Sequence, residues 1–244
     1  RKCSDKSTYL RAVKAHLGCG IIPALVMVFT LPGTGVWAGN GKEIAKVEVC
    51  ADVIQQFVKI PDNAAPPVLL RNAQAIAIVP GIIKAGFIAG GSYGWGVVMV
   101  RQEDGSWSKP VFVTLAGGSL GFQAGVQSID AIMVFKSRQS VERMARGKFT
   151  LGADAAAAAG PVGRSMSAGT DITLGAEVYT YSRSRGLFAG VSLEGSGLQI
   201  DYDATDKFYG LSGLTATDVF TGNRISEIPP VATHLLKVLT QYTQ

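Results

Sequence analysis

Histidine and cysteine are scarce in this 244-residue chain, which has two of the first and three of the second. His16, Cys3 and Cys19 fall within the first 38 residues, so the rest holds only His234 and Cys50. That excludes an intramolecular disulfide and a zinc centre of the usual Cys/His type from residues 39–244. A single histidine also cannot serve as base to two serines. Charge is sparse as well, at 17% against 47% apolar residues. No strict glycine period suggests collagen, and no long polar run suggests disorder. What the chain has in quantity is glycine, 30 residues. With the apolar fraction, that reads as a compact, glycine-rich, β-rich globule.

The first 38 residues read as a secretory signal peptide. Arg1, Lys2, Lys6, Arg11 and Lys14 make a basic start, and Ile21 to Leu31 is an apolar run broken by Pro23 and Thr30. Val36-Trp37-Ala38 offers small residues at the −3 and −1 positions, so cleavage is expected after Ala38. The alternative is a membrane anchor, but the run to Ala38 is barely long enough to span and is broken by Pro32, Gly33 and Gly35. Cys19 precedes the apolar run, which does not suit a lipoprotein site. Five of 23 basic and one of 18 acidic residues precede Gly39, leaving 18 and 17 beyond it. Nothing in that near-neutral balance supports nucleic-acid binding. Residues 39–244 are expected to form a single domain, secreted or periplasmic.

Two stretches share an unusual pattern, Ala89 to Val100 (AGGSYGWGVVMV) and Ala116 to Gln127 (AGGSLGFQAGVQ). Both contain G-x-S-x-G, the expression of a hydrolase nucleophile elbow. An elbow needs a sharp strand-to-helix turn. Here bulky and small residues alternate instead, Tyr93, Trp95, Val97 and Met99 against Ser92, Gly94, Gly96 and Val98. Period-two alternation means strand. The second copy alternates likewise around Ser119, Gly121 and Phe122. Two glycine-faced strands are therefore expected, each with a bare face that a neighbouring layer or ligand approaches closely. No catalytic residue is assigned.

The remaining pattern gives an α+β layout. Three- and four-residue spacing from Lys42 to Ile60 predicts an amphipathic helix. Leu69 to Ala75 reads as a helical turn, and Ile76 to Val79 as a short strand ended by Pro80-Gly81. Strands are expected at Gly86–Arg101, Ser108–Leu115, Ser119–Val126 and Ala131–Phe135, with Asp104-Gly105 a hairpin turn. Ser137 to Gly147 is a short helix with Ser137 or Ser140 as cap. The Ala155–Ala159 run reads as a helical turn or connector. Further strands are expected at Asp171–Ser182, Gly186–Glu194 and Gly197–Tyr202, before Pro229-Pro230 opens a terminal helix. The fold class is thus a mainly antiparallel twisted sheet, or a partly closed barrel or sandwich. Amphipathic helices lie at both ends and one lies in the middle.

Metal and cofactor signals are poor. Asp201-Tyr-Asp203-Ala-Thr-Asp206 starts like a calcium loop but has Asp206 in place of the glycine and Ser212 in place of the closing glutamate, so a solvated turn is the better reading. No glycine cluster sits as G-x-G-x-x-G at a strand-to-helix turn. No metal and no cofactor is expected. Lys136, Arg138, Arg143, Arg146 and Lys148 lie within thirteen residues, opposed only by Glu142. On a helix, Val141, Met144 and Ala145 would face inward, and Arg138, Arg143 and Arg146 outward. Such a cluster is either a solvated face or a contact for an anionic surface.

The run IVPGIIKAGFIAGGSYGWGVVMVRQEDGSWSKPVFVTLAGGSLGFQAGVQSIDAIMVF resembles the SYLF family, as does YSRSRGLFAGVSLEGSGLQIDYDATDKFYG. The resemblance covers about Gly39 to the C-terminus. It implies a lipid-binding module without enzymatic activity, since eukaryotic members bind phosphoinositides and fungal relatives also bind actin through the C-terminal part. With a signal peptide, the chain looks like a bacterial envelope member. That makes anionic phospholipid or a membrane surface the expected partner and leaves actin binding in doubt. Lys84, in PGIIKAGF, matches a family-motif lysine and is the first headgroup candidate, followed by Lys136 and Arg138, with Arg143, Arg146 and Lys148 beside them. A structural or protein-interaction module is the alternative, and a hydrolase is a third reading that lacks a base.

Overall fold

The structure, a computed structural model, describes residues 41–59, 67–86, 89–120, 125–160, 175–184, 187–190, 193 and 195–243. All lie in the compact unit Trp37–Gln244. The expected leader, residues 1–38, is outside the described residues.

Among the described residues, one nine-stranded sheet carries the fold. Its strands are β1 (Ala75–Gly86), β2 (Ala89–Val100), β3 (Val111–Leu120), β4 (Gly125–Phe135), β5 (Lys148–Thr150), β6 (Ala157–Ala159), β7 (Val178–Ser184), β8 (Leu187–Gly190) and β9 (Ser196–Ile200). They run in the order β5-β9-β3-β2-β1-β4-β7-β6, with β8 also on β7. All pairs are antiparallel except β6 with β7. The order 3-2-1-4 among the first four strands is a Greek key. The helices are α1 (Gly41–Lys59), α2 (Pro67–Arg71), α3 (Arg138–Ala145), α4 (Tyr202–Tyr209), α5 (Ala216–Thr221) and α6 (Pro230–Thr243). The α+β class expected from the sequence is what the chain adopts.

The sheet curls strongly. Phe135 of β4 and Phe149 of β5 are separated by four intervening strands, yet their rings meet at 5.8 Å. That contact defines the inner face. Helix α3 joins the same two strands, and its buried Val141 and Met144 close the seam between them. The outer face is covered by helices. Phe57 of α1 meets Tyr181 at 5.2 Å, and Phe208 of α4 meets Phe112 at 5.2 Å. Helix α6 packs on α1 and α2. Its end is tied down through Arg101, which donates to the carbonyls of Leu70, Ala73, Gly105 and Thr243 and lies 4.5 Å from the Trp107 ring.

Several elements differ from the sequence reading. Pro80-Gly81 does not end the first strand. β1 continues through it with a bulge, where the register shifts against both neighbours. Gly81 sits at φ +59, as the left-handed position of a bulge requires. Its N–H donates to Asp130 Oδ1 at 2.9 Å, and Asp130 is ion-paired with Arg183. The expected strand Ser119–Val126 is divided between the end of β3 and the start of β4, and residues 121–124 are outside the described residues. Alanines 157–159 form β6 rather than a helical turn, paired in parallel with β7. The Asp201–Asp206 segment is no solvated turn. Asp201 caps α4 by accepting from the Ala204 N–H, and Asp206 accepts from the N–H groups of Gly213 and Leu214. Those carboxylates are consumed by backbone, and no group of three or more ligand-type side chains occurs among the described residues.

The two AGGS copies turn out to be partners. Gly90 pairs with Ser119, Gly91 with Gly118, and Ser92 with Gly117. The bare face of β2 is bare because the β1 bulge presses on it. A Cβ on Gly94 would stand 2.7 Å from Ile82 Cγ1, and one on Gly96 would stand 2.0 Å from the Ile78 carbonyl oxygen. Gly96→Ala is therefore expected to destabilise the fold by about 1–3 kcal/mol in urea denaturation. Gly118 has nothing within 4 Å of a built Cβ, so Gly118→Ala is expected to stay within about 0.5 kcal/mol. Equal effects would show that the bulge does not touch β2.

Cys50 of α1 is fully buried against the sheet, with its sulfur 3.7 Å from the Ile78 carbonyl oxygen. Burial pushes its thiol far above the ordinary range. The folded pKa thus exceeds the unfolded one, so its contribution is intact below about pH 8.5 and is lost as pH rises above it. The slope from this one group is about 1.4 kcal/mol per pH unit. Cys50→Ala is expected to flatten the stability profile between about pH 8.5 and 9.5, measured by denaturation at each pH. An unchanged slope would place the titrating group elsewhere.

Candidate functional site

The basic residues singled out from the sequence do not act as one set. Ser137 caps α3 by accepting from the Ser140 N–H. This sets the rotation of the helix so that Val141 and Met144 turn inward and Arg138 and Glu142 outward. Arg143 departs from the expected outward placement. It is half-buried and donates to the Asp154 carbonyl. The reason is the turn after β5, where Asp154 also accepts from the Thr150 N–H and brings its backbone under α3. Lys136 is half-buried too, with its ammonium 5.7 Å from the Tyr179 ring centroid. Arg138, Arg146 and Lys148 are exposed, and no acidic side chain pairs with them among the described residues. The accessible cationic edge is thus those three.

Lys84 lies elsewhere. It pairs with Ser92 of β2 and Gln127 of β4. Gln127 is eight residues along β4 from Phe135, which precedes α3, so about 27 Å of strand separates them. Six residues of β1, Ile78 to Ile83, match five of β2, Val97 to Tyr93. The extra residue places Ile83 on the outer face and Lys84 on the inner one. The family-motif lysine and the α3 cluster are therefore separate features.

Lys148 belongs to a second arrangement that the sequence reading missed. Strand register lines up Lys148, Gln199, Thr114 and Trp95 as one rung across four strands. The next rung on the same face is Thr150, Gly197, Ala116 and Tyr93, continuing to Ile83 of β1. Lys148, Thr150, Thr114, Gln199 and Ser92 help line a half-open groove of about 470 Å³ floored by glycines. One cation, two hydroxyls on its face and a carboxamide suit an anionic oxygen group. Among the described residues, the helical cover stops at the Trp95 rung. Lys46 of α1 places its ammonium 5.2 Å from the Trp95 ring and 5.9 Å from that of Phe112. Beyond it, Tyr93 is 60% exposed and Ile83 52%.

Among the described side chains, Ser92 has no histidine or carboxylate as hydrogen-bond partner. The Ser92 hydroxyl donates to the Gly117 carbonyl at 3.4 Å. His234 is exposed on α6, with its ring nitrogen 3.4 Å from the Gln55 amide of α1. Gly121 lies outside the described residues.

Among the described residues, the curled sheet presents an exposed outer end beside a cationic rim, a surface suited to binding. The chain belongs to the Ysc84 (SYLF) family, whose sequence profile, described as "Las17-binding protein actin regulator", matches residues 116–242. The yeast Saccharomyces cerevisiae protein YSC84 is 36% identical over 203 residues, covering 80% of this chain and 42% of the relative. The "SH3 domain-containing YSC84-like protein 1" of Xenopus laevis is 36% identical over 200 residues, 80% of this chain and 59% of its own length. The human protein of that name is 34% identical over 206 residues, 82% and 59%. This chain thus spans about two fifths to three fifths of these relatives.

Proposed function

We propose that this chain is a lipid-binding domain without enzymatic activity that meets anionic phospholipid headgroups of a cell envelope, in a secreted or periplasmic setting. The observation that carries the reading is the exposed edge of Arg138, Arg146 and Lys148, free of acidic partners among the described residues. Each basic residue near an anionic surface is worth about 1 kcal/mol. Lys136 and Arg143, held against Tyr179 and Asp154, orient that edge rather than reach out from it. Lys84 serves the inner face. No helix among the described residues is long and apolar enough to cross a membrane, so the contact proposed is a peripheral one. A second reading, a protein-interaction module, has one support. The family description and the name "LAS seventeen-binding protein 3" refer to protein partners of relatives.

Electrostatic first contact has a plain signature. Binding to vesicles of phosphatidylglycerol should weaken as salt rises, because screening shortens to about 8 Å at physiological ionic strength. Arg138→Glu with Arg146→Glu is expected to remove about 2–4 kcal/mol of attraction by reversing two charges. Its thermal melting should stay that of the parent, since both side chains are solvated. Flotation of the parent and double variant on phosphatidylglycerol vesicles checks this. Equal flotation, or salt-independent binding throughout, would reject the headgroup contact.

A further inference from the structure

The uncovered end of the outer face has a composition of its own. Register places Thr150, Gly197, Ala116, Tyr93, Ile83 and Ser128 on one rung, and Gly118, Gly91, Ala85 and Val126 on the next. Ile83, Tyr93 and Val126 are 52, 60 and 77% exposed. They are three of the seven large apolar side chains exposed among the described residues, and the only ones grouped on one sheet face. Soluble proteins seldom leave such a cluster uncovered without a partner. The small residues between them raise no side-chain ridge, and the groove they floor beside Lys148 is half-open, unlike the enclosed, desolvated pockets that anchor a protein interface. None of these residues is acidic, and the adjoining rung ends in the cation Lys148. A tyrosine, two aliphatic side chains and a flanking lysine form the set that sits at a bilayer interface, with rings and stems in the apolar layer and polar tips at the headgroups.

We infer that this end of the sheet is the apolar half of the membrane contact. Ile83, Tyr93 and Val126 enter the acyl boundary of an anionic bilayer, while the groove beside Lys148, Thr150 and Gln199 takes a headgroup. The inference rests on the lipid reading above and adds a contact that salt does not screen. It also fixes an orientation, with the glycine end of β1, β2, β3 and β4 toward the lipid and α1 clear of it.

The test uses the full chain with vesicles of phosphatidylglycerol at low salt and at about 1 M salt, where screening falls to about 3 Å. The variant Ile83→Ser with Val126→Ser leaves the charge unchanged, and Val126→Ser alone is a milder companion at the most exposed position. The parent is expected to keep part of its binding in high salt. The double variant should bind at least about tenfold more weakly at both salts, with unchanged melting, and Val126→Ser should fall between. Parent-like binding of the folded double variant in high salt overturns the inference and leaves the arginine contact standing. Absence of parental binding to any vesicle overturns the lipid reading and this inference with it. Displacement of the parent from vesicles in high salt by soluble glycerol phosphate would show a headgroup site alone, and overturns the apolar half. Self-association of the parent in sedimentation that the double variant loses, with vesicle binding intact, would assign the surface to a second copy and overturn it too.

Discussion

The bulge at Pro80-Gly81 is the constraint on which the rest depends. β1 is the strand shared by β2 and β4, so a single extra residue there resets the alternation for both neighbours. Before the bulge, Ile76 and Ile78 lie on the outer face under α1. After it, Ile83 lies outward and Lys84 inward, the reverse of an unbroken strand. Glycine at position 81 tolerates the positive φ, and proline at 80 is acceptable because a bulge leaves one N–H unpaired. The kink is held from outside by the Asp130 carboxylate, itself fixed by Arg183. It is accommodated from below by Gly94 and Gly96, which leave space for Val79 and Ile82 to press against β2.

The same geometry divides the charged residues. α3 spans the seam of the curled sheet, so its apolar side plugs the inner face while Arg138 and the capping Arg146 stand at the edge and Arg143 turns to Asp154. β5 leaves α3 and joins β9, which delivers Lys148 to the outer face beside Gln199 and Thr114. One edge of the molecule thus presents cations next to an apolar, glycine-floored end. Attraction over the distance of screened charges and short-range apolar burial are additive kinds of contact, and the fold places them side by side.

Much of this was legible in the sequence. Helical spacing located α1, α3 and α6, and Ser137 was readable as a cap because its oxygen is needed by an orphan N–H. Alternation identified β2 as a strand and spoke against an elbow at Ser92, whereas the alternating second copy is divided between β3 and β4. What escaped was non-local. Pro80-Gly81 reads as a stop on local grounds, and only pairing to β2 and β4 shows that the strand resumes. The partnership of the two AGGS copies is a matter of register, which no single strand contains. Short β5 and β6 hold three residues each, too few to show a period. The α5 cap, Thr215 with Asp218, was a readable capping box. The Asp201–Asp206 segment starts like a calcium loop and reads as a solvated turn, because capping residues, turns and calcium loops draw on the same side chains. The grouping of Ile83, Tyr93 and Val126 could have been found only by recognising the bulge first.

Neutron reflectometry of the full chain on a phosphatidylglycerol monolayer tests the central claim most directly, because it reads which end of the fold faces the lipid. The account predicts a bound layer with the glycine end of β1–β4 and the Lys148 rim at the headgroups, and α1 and α6 directed to water. A bound orientation with α1 or α6 against the lipid and that end in solvent would contradict it.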